Sequence, residues 1–190
     1  MGELILLRHG ETEWSRTGRH TGRTDLPLTS RGEEQAKALA PLIAARDIAF
    51  TLTSPARRAR RTAELAGLTV TEVDDRLWEW DYGAYEGRTT PDIHQDRPDW
   101  YLWSDGVPEG ETAGQVGART DAVIERVRPH LATGDVALVA HGHVLRVLTA
   151  RWLGLPPEDG RLFRLDTGTV SALGTEHDRP VIGSWNVPAR

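Results

Sequence analysis

The sequence predicts an α/β layered sheet. Short apolar runs of strand length alternate with stretches of helical spacing along the 190 residues, and two of the runs end in a His-Gly turn. In open α/β sheets ligands bind beyond the carboxyl ends of the strands, so such turns share one crevice. No internal repeat, low-complexity tract or linker divides the chain, and residues 1–190 read as one domain.

The first strand is Glu3 to Leu7, an apolar run fit for burial on both faces. Residues 13–28, rich in Thr, Gly, Arg and Trp, read as a long loop closed by Leu26-Pro27-Leu28. Thr29 or Ser30 then caps a helix, with Ser30 and Glu33 spaced as a capping box. Ala36, Leu39, Ala40 and Ile43 give that helix its apolar stripe, and Pro41 predicts a kink or an early end. Phe50 to Thr53 is the second strand, Ser54-Pro55 turns it into a helix over about residues 56–66, and Thr69 to Val73 is the third strand. From there to Glu111 the chain reads as irregular. Val116, Thr120, Val123, Ile124, Val127 and Leu131 hold helical spacing up to a stop at Thr133-Gly134. Val136 to Ala140 is the cleanest buried strand. His143 to Leu153 follows as a helix apolar nearly all round, hence packed inside. Arg161 to Leu165, Thr169 to Gly174 and Val181 to Trp185 read as closing strands.

Composition removes several chemistries. The chain has no cysteine, which excludes disulfides, thiol catalysis, iron–sulfur clusters and cysteine-ligated zinc. Its net charge of −5 disfavours nucleic acid as a partner. The longest fully apolar run, Val136 to Ala140, is far too short to cross a membrane. Met1-Gly2-Glu3 leads straight into a strand with no charged-then-apolar signal segment, so the expected location is the cytoplasm. Lys37 is the only lysine. The remaining positive charge is arginine, whose planar fork suits phosphate and carboxylate oxygens.

Two strand ends deliver histidines: one strand leads to Arg8-His9-Gly10, the other to His141-Gly142. One such histidine reads as a satisfied surface residue. Two, each followed by a glycine through which backbone can approach a ligand, read as a site. The helix after Ser54-Pro55 carries Arg57, Arg58, Arg60 and Arg61. At 100° per residue, Arg57, Arg60 and Arg61 share a solvated side with Glu64. Arg58 falls on the apolar side with Ala59, Thr62, Leu65 and Ala66, where a guanidinium needs an anionic partner, either a phosphate or a buried carboxylate. Arg146 stands one turn into the helix after His141-Gly142. The aromatic stretch from Leu77 to Gly87 supplies Glu79, Asp81 and Glu86 as candidate general acids, since a carboxylate flanked by Trp is partly desolvated. Spacing alone does not choose among the three.

Arg8-His9-Gly10-Glu11-Thr12 resembles the signature of the histidine phosphatase superfamily, which includes the cofactor-dependent phosphoglycerate mutases. Four further blocks are similar to that family in order: Ser54-Pro55 with Arg58-Ala59 and Thr62; Leu77-x-Glu79 with Gly83 and Glu86-Gly87; Pro108-x-Gly110-Glu111-Thr112; and Val139-Ala140-His141-Gly142. The resemblance implies a three-layer α/β/α sandwich with a mostly parallel central sheet. It implies His9 as the nucleophile that takes the phosphoryl group. Arg8, Arg58 and His141 would hold the phosphate, and Glu79 would protonate the leaving oxygen. No cofactor and no metal are implied: a neutral imidazole attacks directly, and arginines neutralise the phosphoryl oxygens.

Within the superfamily, hydrolysis is favoured over mutase chemistry. The segment between Gly87 and Pro108 is short and aromatic, with no adjacent arginine pair, and Ser15 stands where mutases usually carry Asn. The stretches Trp14–Thr29, Glu79–Gly87 and His141–Arg146 resemble the branch that contains the fungal sedoheptulose bisphosphatases. That resemblance implies a small phosphate ester, a sugar phosphate or bisphosphate, as substrate. It adds Ser15, His20, Thr21, Tyr82, Gly142 and Arg146 as substrate contacts. Here His20 replaces a tyrosine of that branch. Arg146 either binds a second phosphate or pairs with an acidic neighbour such as Glu86.

Three other readings compete. His141-x-His143 resembles a metal-binding pair that His9, His20 and Glu79 could join, but the arginines would repel a cation. A non-catalytic phosphate-binding module is the second. The third concerns assembly: Trp100, Trp103 and Trp152, if exposed together, would form a homodimer interface.

Overall fold

The computed structural model describes residues 2–189. Six strands form one sheet: β1 (Leu4–Arg8), β2 (Ile48–Thr53), β3 (Glu72–Val73), β4 (Asp135–Ala140), β5 (Thr169–Glu176) and β6 (Arg179–Pro188), in the order β3-β2-β4-β1-β5-β6. The pairs β1–β4, β2–β4 and β2–β3 are parallel, and β5 and β6 add antiparallel at one edge.

Side-chain alternation along the buried strands builds the layers. Leu4, Leu6, Val136 and Leu138 face one way, with Val116, Val123 and Val127 of α7 (Ala113–Val127) and Val144 and Leu148 of α8 (Gly142–Trp152). Ile5, Leu7, Ala137 and Val139 face the other way, toward Leu39, Ile43, Ala59 and Ala63. Those residues come from the join of α2 (Ser30–Ala38) with α3 (Ala40–Ala44), and from α4 (Arg57–Leu65). Helices therefore cover both faces, as a sheet buried on both sides requires, and the expected three-layer, mostly parallel architecture is the one observed.

Local chemistry explains where the expectations shift. Pro41 ends one helix and opens the next, sitting in the first turn of α3 where its missing N–H has no partner to lose. Thr29 is the cap of α2 and its hydroxyl accepts from Gly32, so the box expected from Ser30 and Glu33 does not form. The loop expected over residues 13–28 contains a short helix, α1 (Glu13–Thr17), built on a Thr12–Ser15 capping box and burying none of its residues. It has no apolar stripe to betray it. Strand β3 keeps only two residues. Thr71 upstream bonds to Thr51 through both its N–H and its hydroxyl, a side-chain substitute for the ladder. The irregular stretch holds two short helices, α5 (Thr90–Asp96) and α6 (Leu102–Asp105).

Two expectations fail outright. Arg161–Leu165 is not a strand. Pro156-Pro157 opens a 3₁₀ turn over Pro157–Leu162, and the Gly160, Arg161 and Leu165 carbonyls serve arginines instead of a sheet. The aromatic patch does not exist either: Trp100, Trp103 and Trp152 are all buried. Trp100 donates its indole N–H to Gly106, and Trp103 stands edge-on to Trp80. The homodimer interface built on them loses its basis.

Candidate active site

Strand register assembles the site. Arg8 pairs with Ala140 across β1 and β4, so His9 and His141 leave the sheet side by side, their rings 5.1 Å apart. On the other flank Thr53 pairs with Val139, which brings Ser54 to His141. Helix α4 begins just beyond and carries Arg58. Three carboxyl ends of adjacent parallel strands thus converge on one crevice, a cavity of about 390 Å³ lined by Arg8, His9 and Glu79.

The hydrogen bonds fix the protons. His9 Nδ1 lies 2.7 Å from the Gly10 carbonyl, which can only accept, so Nδ1 carries the hydrogen and Nε2 keeps its lone pair. Burial, then the charges of Arg58 and Arg8, push His9 well below the usual imidazole range, so the ring is neutral. Gly10 N–H donates to Thr62 Oγ1, which in turn donates to the Arg58 carbonyl, tying the His9-Gly10 turn to α4. At His141, Arg58 Nε donates to Nδ1 at 3.1 Å, so the hydrogen sits on Nε2 and points to Ser54 Oγ at 2.7 Å. Burial, with Arg58, His9 and Arg8, keeps this ring neutral too.

Arg58 and His141 expose no surface and stand in the layer behind His9. Arg58 finds no carboxylate. Its guanidinium donates to His141 and to the carbonyls of Thr21, Gly22 and Thr24, leaving one N–H uncommitted. Both ring nitrogens of His141 are committed, so in this arrangement it braces Arg58 rather than reaching into the cavity. Arg8 is half-buried, gives one N–H to the Leu165 carbonyl, and keeps a buried Nε–H with no acceptor among the described residues. A buried orphan donor on a cation that lines a cavity with His9 fits an anionic oxygen.

The two glycines make room for neighbouring protein atoms. A Cβ on Gly10 would lie 2.2 Å from the Gly32 carbonyl oxygen, and one on Gly142 would lie 3.1 Å from the Arg8 guanidinium carbon. Gly142 makes room for Arg8.

Geometry also chooses the carboxylate. Glu86 spends both oxygens on the N–H groups of Gly22 and Thr24, and Asp81 faces Arg23 and Gly83. Glu79 lines the cavity and is nearly buried. Its Oε1 accepts from Trp80 and Val144, and its Oε2 accepts from His143, so the N-terminus of α8 grips it. Oε2, with one bond, has capacity for a proton.

The far wall of the cavity holds the remaining expected contacts: Ser15, His20, Thr21, Tyr82, Gly142 and Arg146 all line it. The Ser15 hydroxyl is occupied by the α1 capping box and the Thr12 carbonyl. His20 Nδ1 donates to the Arg88 carbonyl, which leaves Nε2 as an acceptor. Arg146 does not pair with Glu86. It donates to the carbonyls of Gly160 and Arg161 and lies over the Trp103 ring at 4.7 Å, with no carboxylate partner. His143, which the sequence offered only as a metal ligand, is a wall residue. Burial raises Tyr82 well above its usual range, so it keeps its proton, and its hydroxyl shares a hydrogen bond of 2.5 Å with His143 Nδ1. Among the described residues no three His, Asp or Glu side chains are grouped to hold a metal ion. No helix among them is long and apolar enough to cross a membrane.

A family model described as "Histidine phosphatase superfamily (branch 1)" matches residues 4–188. The chain belongs to the histidine phosphatase superfamily. This histidine phosphatase is 45% identical over 176 residues to an acid phosphatase of Mycobacterium tuberculosis, covering 92% of this chain and 87% of that one. It is 38% identical over 183 residues to sedoheptulose 1,7-bisphosphatase of Saccharomyces cerevisiae, covering 80% and 67%. The solved structure of the Mycobacterium tuberculosis open reading frame Rv3214 superposes with a TM-score of 0.96 at 42% identity, covering 100% of this chain and 99% of that one. Family and relatives together support a phosphoric monoester hydrolase.

Proposed function

We propose that this enzyme hydrolyses a small phosphorylated metabolite, a sugar phosphate or bisphosphate, through a phosphohistidine on His9 with Glu79 as proton donor. The observation that carries the reading is the proton assignment at His9. Its hydrogen is held on Nδ1, its ring is neutral with a lone pair on Nε2, and it lines the cavity together with Arg8, whose Nε has no partner among the described residues. Nε2 attacks phosphorus, the ester P–O bond breaks, and Glu79 gives its proton to the departing alkoxide. Water then attacks the phosphoramidate, Glu79 takes its proton, and phosphate leaves with His9 restored. Arg8 holds the phosphoryl oxygens, and Arg58, braced by His141 in the layer behind His9, adds positive charge. The guanidinium charges do the work a metal would otherwise do.

Sugar character is supported by the far wall. His20 offers an acceptor and His143 a ring nitrogen, both able to meet hydroxyls, and Arg146 lacks a carboxylate among the described residues and suits a second phosphate. Hydrolysis fits better than mutase transfer. Arg88 is committed to Asp96 and the Asp92 carbonyl, Arg97 is exposed, and neither lines the cavity. Such a substrate agrees with the cytoplasmic location expected from the sequence. The test is phosphate release, with EDTA present, from mono- and bisphosphorylated sugars and an aryl phosphate, beside His9→Ala. EDTA-resistant release that vanishes in the variant is expected. A folded protein that releases phosphate from none of them overturns the reading.

A further inference from the structure

The motif Pro108-x-Gly110-Glu111-Thr112 plays no part in the chemistry above, and neither does Arg119, two turns along the helix it caps. Their geometry is directed at the proton donor. Arg119 commits all five N–H groups. Nε and Nη2 grip the two Glu111 oxygens at 2.7 and 2.9 Å. Nη1 donates to the Arg76 and Trp78 carbonyls, both at 2.6 Å, and Nη2 also donates to the Glu79 carbonyl at 3.1 Å. Glu111 completes the frame: its Oε2 accepts from Asp81 N–H, its carbonyl accepts from the Trp80 indole, and its N–H donates to the Asp81 carbonyl. Backbone on either side of Glu79, from residue 76 to residue 81, is therefore held by one ion pair whose side chains are only 14% and 18% exposed. Although burial opposes it, Arg119 holds the Glu111 carboxyl below its usual range, so the pair is ionised.

We propose that Arg119 and Glu111 are positioning residues for Glu79, setting the distance from its carboxyl to the leaving-group oxygen. The inference rests on Glu79 being the proton donor. Displacement of a catalytic group by about 1 Å costs on the order of 10²-fold in rate, and beyond the 3₁₀ turn at Asp75–Leu77 the segment has no regular secondary structure of its own to resist it.

The leaving group separates positioning from plain structural support. An alkoxide needs the donor's proton, whereas a nitrophenolate leaves without one. Arg119→Lys, which keeps the charge and loses the fork, and Glu111→Gln are compared with Glu79→Gln on glycerol phosphate and p-nitrophenyl phosphate. Arg151→Met is the control, since it breaks the Asp121 pair joining α7 to α8 and touches no site residue. The expected result is a fall in kcat/KM, which reports phosphoryl transfer to His9 and not the later attack of water, of about 10²-fold on glycerol phosphate with only a few-fold loss on the aryl ester, in all three site variants but not in the control. Equal loss on both substrates, no loss on either, or unfolding of both Arg119→Lys and Glu111→Gln while Glu79→Gln shows the split, overturns the positioning role. Absence of the split in Glu79→Gln itself overturns the donor assignment, and this inference with it.

Discussion

Arg8 is a half-buried cation with no carboxylate hydrogen-bonded to it among the described residues, and desolvation lowers its affinity for its own proton. Such a residue is kept for an incoming anion at the expense of the empty protein. Arg8→Met is expected to lower kcat/KM by about 10²-fold or more while leaving the melting temperature unchanged or higher. Steady-state kinetics beside a thermal melt checks both halves, and a variant that loses stability and keeps activity contradicts the account. At this scale much of the site was legible. Arg58 emerged from helical geometry alone, because a guanidinium on an apolar face is conspicuous. Glu79 did not emerge: the competing acids Asp81 and Glu86 are disqualified by partners at Arg23, Gly22 and Thr24, which no local spacing reveals. The reasons for Gly10 and Gly142 were hidden likewise, since the atoms they make room for belong to Gly32 and Arg8.

The turn from β4 into α8 does three things at once. It delivers His141, it opens space for the Arg8 guanidinium at Gly142, and it aims the N–H groups of His143 and Val144 at Glu79. Gly142→Ala is expected to push Arg8 aside, lowering kcat/KM about tenfold or more with little change in unfolding free energy. Gly10→Ala, pressed on the Gly32 backbone, is expected to cost at least about 1–3 kcal/mol in a urea titration. A larger stability loss for Gly142→Ala than for Gly10→Ala contradicts this assignment. Elements with strong apolar periodicity were legible to within a residue or two, as α4, β4 and α8 show, while α7 was found but ends at Val127, where Pro129 turns the expected continuation into a 3₁₀ helix. Those without it were not. Helix α1 rests on a capping box, and the Pro157–Leu162 turn rests on carbonyls that serve Arg146. Both are stabilised by polar contacts that leave no hydrophobic signature.

Across the whole molecule, His9, His20, His141 and His143 all have imidazoles held below the ordinary range, by burial first and then by arginine charge or a neighbouring ring at three of them. In the unfolded chain each takes a proton near pH 6.5. The unfolded state therefore binds more protons as pH falls, and stability present above about pH 6.5 is lost progressively below it. Melting temperatures measured from pH 8 to pH 5 are expected to hold and then decline; a flat or rising profile contradicts the neutral-histidine network. The fold class was legible because strands and helices alternate. The strand order was not, since only the assembled sheet shows β4 inserted between β2 and β1, the placement that sets His9 against His141. That juxtaposition supports the central claim, covalent transfer to His9 Nε2. The most direct measurement is mass spectrometry of the enzyme quenched in alkali during turnover of a fast substrate, with peptide mapping of the phosphoryl group. A phosphoryl adduct on His9, absent in His9→Ala and in enzyme without substrate, is the predicted result. Turnover without any adduct on His9, or undiminished turnover by His9→Ala, would contradict the account.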